Sequence, residues 1–582
     1  MKRAFVFAAL MSLVGTTIWA APFTQGNVVI LRVGDGTEAL TNAGNSLFLD
    51  EYTANGTFVQ SIVAPTNQFI SAGGATNFPI DLTGGNTGEG ELALSSDGQY
   101  LTFVGYGTNR LWLLTQPGVG NLNISSTAGA SLPRVVARVD WLGNFDTSTT
   151  PNNITTGSGA DMRGVATPDG SNFWVASSAG GGESYIPLGA NTAVPLQGTT
   201  NKRTVGIFNP VPGHAYPDGQ QQVYNVSAGG VYASGTNFPT VLCTEFGLTN
   251  IVGSGGALVS PYGFLALHLQ DGIHSNIDTV YIADDGSVTG GVSKWTYNPA
   301  VSNNWYETGS IAGNATLTSG TGGLRQLAGS VTVNGNQTNV TLYVVASGNT
   351  AANYAGNLYA LTDSSGFGGT LSGTLPAPIA SAPANTRWRG VALAPASTFR
   401  ITSIAKSGND VSLAWNAMGG NSYVVQASNG DAKGNYNSST FTDLSGSLFT
   451  LGYGPQLASF LDANGATNRP SRYYRLRRVG IPIGLSVVQQ PTDTAAGATI
   501  STIKVQVVDQ SGAPIVGVTP ITVAIGTNPS SGNLSGTLTV NPVAGVATFG
   551  DLSIDTAGTG YTLVFTAPGW NSATTVPFNI TP

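Results

Sequence analysis

The sequence predicts an all-β chain, a β-propeller of six blades followed by two β-sandwich domains. Three observations predict it. First, a short pattern recurs, as Met162-Arg163-Gly164-Val165-Ala166, Lys202-Arg203-Thr204-Val205-Gly206, Leu324-Arg325-Gln326-Leu327-Ala328 and Trp388-Arg389-Gly390-Val391-Ala392. Repeats separated by tens of residues point to radial or stacked repetition. Second, among 582 residues only 9% are charged, while 79 are Gly and 41% are hydrophobic. That balance fits short strands joined by tight turns, and it lacks the low hydrophobicity and high net charge of disorder. Third, apolar positions at helical spacing are hard to find after the N-terminus.

The chain start, Met1 to Ala21, reads as a secretory signal peptide. Lys2-Arg3 precede the apolar run Ala4 to Val14, and Thr17-Ile18-Trp19-Ala20-Ala21 ends it on small residues. The run is shorter than the ~20 residues that span a bilayer, and no later apolar segment is long enough. The mature protein is therefore expected to be secreted or held at the cell surface. Cys243 is the single cysteine, so no intrachain disulfide forms and the residue reads as a small buried apolar group.

Asn27 to Val33, Ser46 to Leu49 and Phe58 to Ile62 are strand candidates separated by Gly34-Asp35-Gly36 and Ala54-Asn55-Gly56 turns. A cycle then sets in. Two looser copies of the repeat are Pro261-Tyr262-Gly263-Phe264-Leu265 and Gly90-Glu91-Leu92-Ala93-Leu94, the latter aligned through Asp97-Gly98 against Asp169-Gly170. Second strands include Tyr100 to Val104, Phe173 to Ala176, Val223 to Val226, Val280 to Ala283 and Leu342 to Val345. Leu111 to Leu114 reads as a third strand and Val135 to Val139 as a fourth. Four strands per unit, repeating every 40 to 75 residues or so (roughly), suggest propeller blades. The copy at Arg389 has no second strand, and the strands from Asn27 have no first. Ring closure solves both, with the Arg389 strand completing the blade begun at Asn27, which removes exposed edges. Six blades result; seven is the alternative, because 115–160 and 185–200 are irregular.

The expected domains are a signal peptide at 1–21, the propeller at 22–398, a first sandwich at 399–480 and a second at 481–582. In the first sandwich, Trp415 on a second strand and Tyr473-Tyr474 on a late one suit a fibronectin type III core. In the second, Gln489-Gln490-Pro491, Val505 to Asp509, Gly532 to Gly536, Gly545 to Phe549 and Ala557 to Tyr561 resemble the bacterial immunoglobulin-like repeats of surface and adhesin proteins. Val33 to Gly36, Phe48 to Tyr52 and Tyr281 to Gly286 resemble secreted bacterial propeller proteins of uncharacterised activity. These resemblances imply a fold and an extracellular address, with no activity to carry over.

Net charge is −7 and no Lys/Arg run tracks a phosphate backbone, which argues against nucleic acid as a partner. Equivalent repeat positions converge on one mouth of a propeller channel, giving a candidate ring of Glu91, Arg163, Arg203, Tyr262, Arg325 and Arg389. Four Arg facing one cavity can hold a carboxylate, sulfate or acidic sugar through forked hydrogen bonds; the competing role ties each Arg to a neighbouring blade's carbonyl or an Asp. Asp284-Asp285 and Asp50-Glu51 read as acidic pairs on loops, which offer oxygen ligands to Ca²⁺ but lack the alternating spacing of a calcium loop. His268, Asp271 and His274 offer a metal two imidazoles and a carboxylate, at a spacing that matches no established ligand pattern. Trp174, Trp295, Trp305 and Trp388 are candidates for stacking on sugars, against a core role between sheets. No G-x-S-x-G elbow, Cys-His arrangement or H-E-x-x-H is present, so no catalytic residues are assigned. The expected function is non-catalytic binding of a carbohydrate, matrix polymer or surface protein. The alternatives are a hydrolase or lyase acting on a polysaccharide or small acidic substrate, with Glu91 as its carboxylate, and a structural envelope or biofilm component.

Overall fold

A computed structural model describes residues 21–582 apart from 109–122, 128–130, 155–160, 179–181, 198–200, 209–220, 228–229, 234–242, 245–248, 253–259, 270–276, 287–289, 301–304, 314–322, 335–336, 348–355, 398–399, 419–421, 446–447, 451–453, 468–469, 480–483, 509–519, 544 and 568–571. Residues 1–20 of the expected signal peptide, together with His214, Asp271 and His274, fall outside the described residues. Within them the chain is all-β: there is no α-helix, and none long and apolar enough to cross a membrane.

Six sheets of four or five strands carry the repeat, antiparallel apart from the pairing of Gln221-Gln222 with Cys243-Thr244, and each is headed by one copy. Their first strands are Ala93–Leu94, Met162–Ala166, Lys202–Phe208, Pro261–Leu267, Leu324–Asn334 and Arg387–Leu393. Each first strand touches that of the next sheet, and the Arg387 strand touches the Ala93 strand, so the contacts run in a closed cycle. The pairing expected between the two chain regions is present, with Val28 opposite Leu393 and Val33 opposite Arg387. Leu47–Tyr52 and Phe58–Val63 then complete that sheet. One strand assignment changes. Arg134–Asp140 pairs directly with Tyr100–Tyr106 and is the third strand of its sheet, followed by Phe145–Thr149. The expected third strand, Leu111 to Leu114, lies outside the described residues.

The second strands are rich in β-branched and aromatic residues, which suit a pleated surface buried on both faces. Trp174, Tyr224, Tyr281, Phe103 and Trp388 are fully buried between sheets, and Trp388 meets Tyr52 edge-on at 5.5 Å. Trp295 and Trp305 are also buried, so all four Trp weighed as sugar platforms are core. Asp50 and Glu51 correct a second expectation. Leu47–Tyr52 is a strand, not a loop, and it buries both acids. Arg32 pairs with Asp50 at 2.6 Å, and Glu51 accepts from the Thr24 backbone N–H and the Asn27 and Gln60 amides at 2.7 Å.

Beyond Arg400, the sheet of Ile401–Ser407, Asp410–Met418 and Pro455–Asp462 and the sheet built on Ser422–Gly430 share one core. Trp415 is fully buried there, 6.2 Å from the Tyr423 ring. The last part of the chain forms further small sheets around a separate core, in which Phe549 and Phe565 lie 5.1 Å apart.

Candidate functional site at the head of the first strands

The repeat's Arg has a structural signature. The register with the second strand slips between Met162 and Gly164, Lys202 and Thr204, and Leu324 and Gln326, and likewise around Tyr262-Gly263 and Arg389-Gly390. Arg163, Arg203, Tyr262, Arg325 and Arg389 therefore each sit at a β-bulge. A bulge leaves its extra residue out of the ladder and re-aims the side chain, here at the head of the inner strand. Glu91 reaches the same place differently, just ahead of its strand, with its N–H donating to the Arg163 carbonyl at 3.1 Å.

The six residues do come together. Tyr262 lies between two guanidinium groups, 4.6 Å from Arg203 and 4.2 Å from Arg325, a cation–π sandwich. Arg203 donates to the Pro261 carbonyl at 2.8 Å and to the Ser260 hydroxyl at 3.1 Å. Arg163 donates to the Asn201 side chain and, at 3.5 Å, to the Lys202 carbonyl. These two Arg thus tie one sheet to the start of the next. Arg325 pairs with Asp285 and donates to the Thr87 carbonyl at 2.8 Å.

The segment 83–91 lies across this mouth. Arg389 donates to the carbonyls of Thr83 and Gly84 at 3.3 and 3.1 Å, and the neighbouring Arg387 also reaches Gly84. Glycine is required within it: Gly90 has φ +84°, and a Cβ there would meet the Arg389 side chain at 2.9 Å. Glu89 anchors the segment from below, accepting from the Thr83 hydroxyl at 2.6 Å, the Thr83 N–H at 3.2 Å, Asn86 at 3.3 Å and the Tyr106 hydroxyl. Carbonyl oxygens therefore take part of the Arg325 and Arg389 donor sets, where an acidic ligand was expected, and one also meets Arg387, while the Nε of all three and Arg389 Nη1 are buried without a partner. Arg163, Arg389 and Glu91 are buried under the segment, while Arg203, Tyr262 and Arg325 stay partly exposed.

Burial sets the protonation states. It lifts the Glu89 carboxyl to about 7, against hydrogen bonds from Thr83 and Tyr106 that pull it back. It pushes Glu91 well above the carboxylate range, although Arg163, Gln326 and Arg325 oppose the shift. Arg389 is drawn well below the usual guanidinium range by burial and by the charges of Arg387 and Arg325, and Arg387 falls to about 10.

Asp284 accepts from the backbone N–H groups of Ser260 and Gly286 at 3.0 and 2.7 Å, and Asp285 is taken by Arg325. The described residues hold no cluster of three or more His, Cys, Asp or Glu placed for a metal. His268 pairs with Asp278 at 2.9 Å.

Neither the family models nor the curated proteins contain a match to this chain. Solved structures give remote likenesses. Dihydro-heme d1 dehydrogenase NirN in complex with DHE is 11% identical over 77% of each chain, with a TM-score of 0.26. The extracellular domain of a B. thetaiotaomicron hybrid two-component system is 9% identical over 97% of this chain and 100% of that one, with a TM-score of 0.14. The plexin A4 extracellular region is 6% identical over 96% and 76%, with a TM-score of 0.22. Scores this low carry no argument about function.

Two residues of the mouth lie just outside the repeat. Glu89 and Arg387 share the position before it with Asp161, Asn201, Ser260 and Gly323, and because no residue type recurs there copy-against-copy comparison passes over them. The signal available was local: an acid inside a Gly-rich turn, and two Arg one residue apart in Arg387-Trp388-Arg389.

Proposed function

We propose that the chain is an exported, non-catalytic binding protein, with a six-bladed propeller as its recognition module and two β-sandwich domains as a spacer. The partner class is an acidic carbohydrate or matrix polymer, or a surface protein presenting acidic groups. The observation that carries this reading is the Arg203–Tyr262–Arg325 stack, partly exposed at the mouth while the rest of the ring is buried. An aromatic face flanked by two cations suits a sugar ring bearing a carboxylate or sulfate. The cyclic contact of six first strands supports the blade count, and the two separate cores after Arg400 support the sandwiches. Calcium is retained as a proposal only at Asp284, which is buried at the end of its strand and not on a loop.

The test is a glycan and matrix-polymer binding screen on residues 22–582, repeated with Tyr262→Ala and Arg203→Ala. Binding of acidic glycans that weakens at least about tenfold in both variants supports the reading. Equal binding by variants and parent removes this stack as the site. The hydrolase or lyase alternative has one observation in its favour: Glu89 and Glu91 share the mouth and both hold their protons well above the ordinary range. Polysaccharide turnover abolished by Glu91→Gln would establish that alternative instead.

A further inference from the structure

Beneath the charged mouth, the six first strands enclose a cavity of about 100 Å³. Every one of them contributes to its wall, from Leu94 and Val165 to Ile207, Leu265, Leu327 and Val391. Apolar side chains make up most of this wall, and Ser96, Thr167, Thr204, Gln326 and Glu91 add polar groups to it. Glu91 is only 8% exposed, and its Oε1 is buried without a hydrogen-bond partner. Gln326 and Thr204 meet at 3.4 Å.

The repeat sets how closely the strands approach around this space. The residue after the recurrent Arg or Tyr is Gly in three copies, each set against its neighbour in the ring. A Cβ on Gly164 would meet the Glu91 carboxyl oxygen at 2.1 Å, one on Gly390 the Leu92 nitrogen at 2.3 Å, and one on Gly263 the Arg325 carbonyl at 2.8 Å. The other two Arg copies carry Thr204 and Gln326, which are two of the polar groups of the wall. Glycine thus lets the strands and the Glu91 side chain close in, and the two exceptions furnish hydrogen-bonding capacity beside the carboxyl.

We infer that this cavity is a binding site for a small uncharged amphiphile, a ligand of about four to six heavy atoms with one hydrogen-bonding end directed at Glu91 and Gln326. Size sets the upper limit, since an apolar cavity of about 150 Å³ takes up benzene or xenon. The walls favour an apolar body. A buried carboxyl oxygen without a partner is costly to leave unmatched, and a ligand carbonyl or hydroxyl answers it. The carboxyl, held protonated by burial, donates to such a group. This site is separate from the exposed stack at the mouth and does not depend on what that stack recognises.

Xenon and butan-2-one are the probes. On residues 22–582, ¹²⁹Xe NMR should report an occupied cavity, and butan-2-one should displace the xenon at millimolar concentration. Ala328→Leu, which fills the cavity from its wall, should abolish both signals. Glu91→Leu should keep xenon but weaken butan-2-one by about tenfold or more, whereas Glu91→Gln, which retains a donor, should bind it nearly as the parent does. Failure of butan-2-one to displace xenon in the parent protein, a comparison that needs no variant, overturns the inference. So does unchanged butan-2-one affinity in a folded Glu91→Leu protein.

Discussion

The two levels of the ring, one above the other on the same six strands, solve opposite problems. The upper level is crowded with charge, and carbonyls, Asp285 and the Tyr262 ring take up much of it. The lower level is almost free of charge, yet it holds the buried carboxyl oxygen with no partner. The upper level thus ties strands and the overlying segment together while leaving the Arg203–Tyr262–Arg325 stack partly exposed, and the lower level sets one unmatched carboxyl oxygen beside open, largely apolar space.

The largest expected effect comes from dismantling the upper level. Arg389 is 1% exposed and serves two carbonyls of the overlying segment. Arg389→Ala should cost about 3 kcal/mol in urea or guanidinium unfolding, because it opens a void and removes the Arg389 bond from both carbonyls, Gly84 keeping only Arg387. A loss under ~1 kcal/mol would mean that the segment 83–91 holds itself in place. That result would break the contrast between the levels.

Glu89 gives the next effect, and its sign is opposite to that of an ordinary ion-paired acid. Its folded pKa, about 7, lies above the unfolded value. The group therefore contributes stability that is complete below pH ~4.5 and disappears as pH rises through 7. Thermal unfolding across pH 5 to 8 should show a decline of up to about 3 kcal/mol, and Glu89→Gln should flatten it. A parent protein whose stability rises over that range would show that Glu89 is ionised at the mouth.

Arg203 gives the smallest effect. It is partly exposed, with one carbonyl, one hydroxyl and the Tyr262 face as partners. Arg203→Ala should cost about 1 kcal/mol, while its effect on glycan binding should be larger. A stability loss matching that of Arg389→Ala would place Arg203 with the construction and not with recognition.

Much of this arrangement is legible in the sequence because repetition converts position into geometry. Aligning Arg163, Arg203, Arg325 and Arg389 was enough to gather them, and the missing second strand after Arg389 was enough to pair that region with Val28. What could not be read is anything set by a single copy. Thr83 to Gly88 looks like any Gly-rich turn, and no spacing says that its carbonyls meet guanidinium groups about three hundred residues away, a separation that the Arg389 contact makes explicit at 306. The bulges escaped for a related reason, since one extra residue per strand leaves the apolar pattern almost intact. Asp50 and Glu51 read as a loop because acids are rare inside strands. Their partners, Arg32, Asn27 and Gln60, come from elsewhere in the chain.

The strand pair that joins Val28 to Leu393 also imposes a timetable. A chain emerging from a ribosome or a membrane pore exposes Val28–Val33 early, and that strand must wait for Arg387–Leu393 before its sheet is complete. Until then an apolar strand has an open edge, a feature that slows folding and invites misassociation. Completion is consequently a late event that commits the whole ring at once.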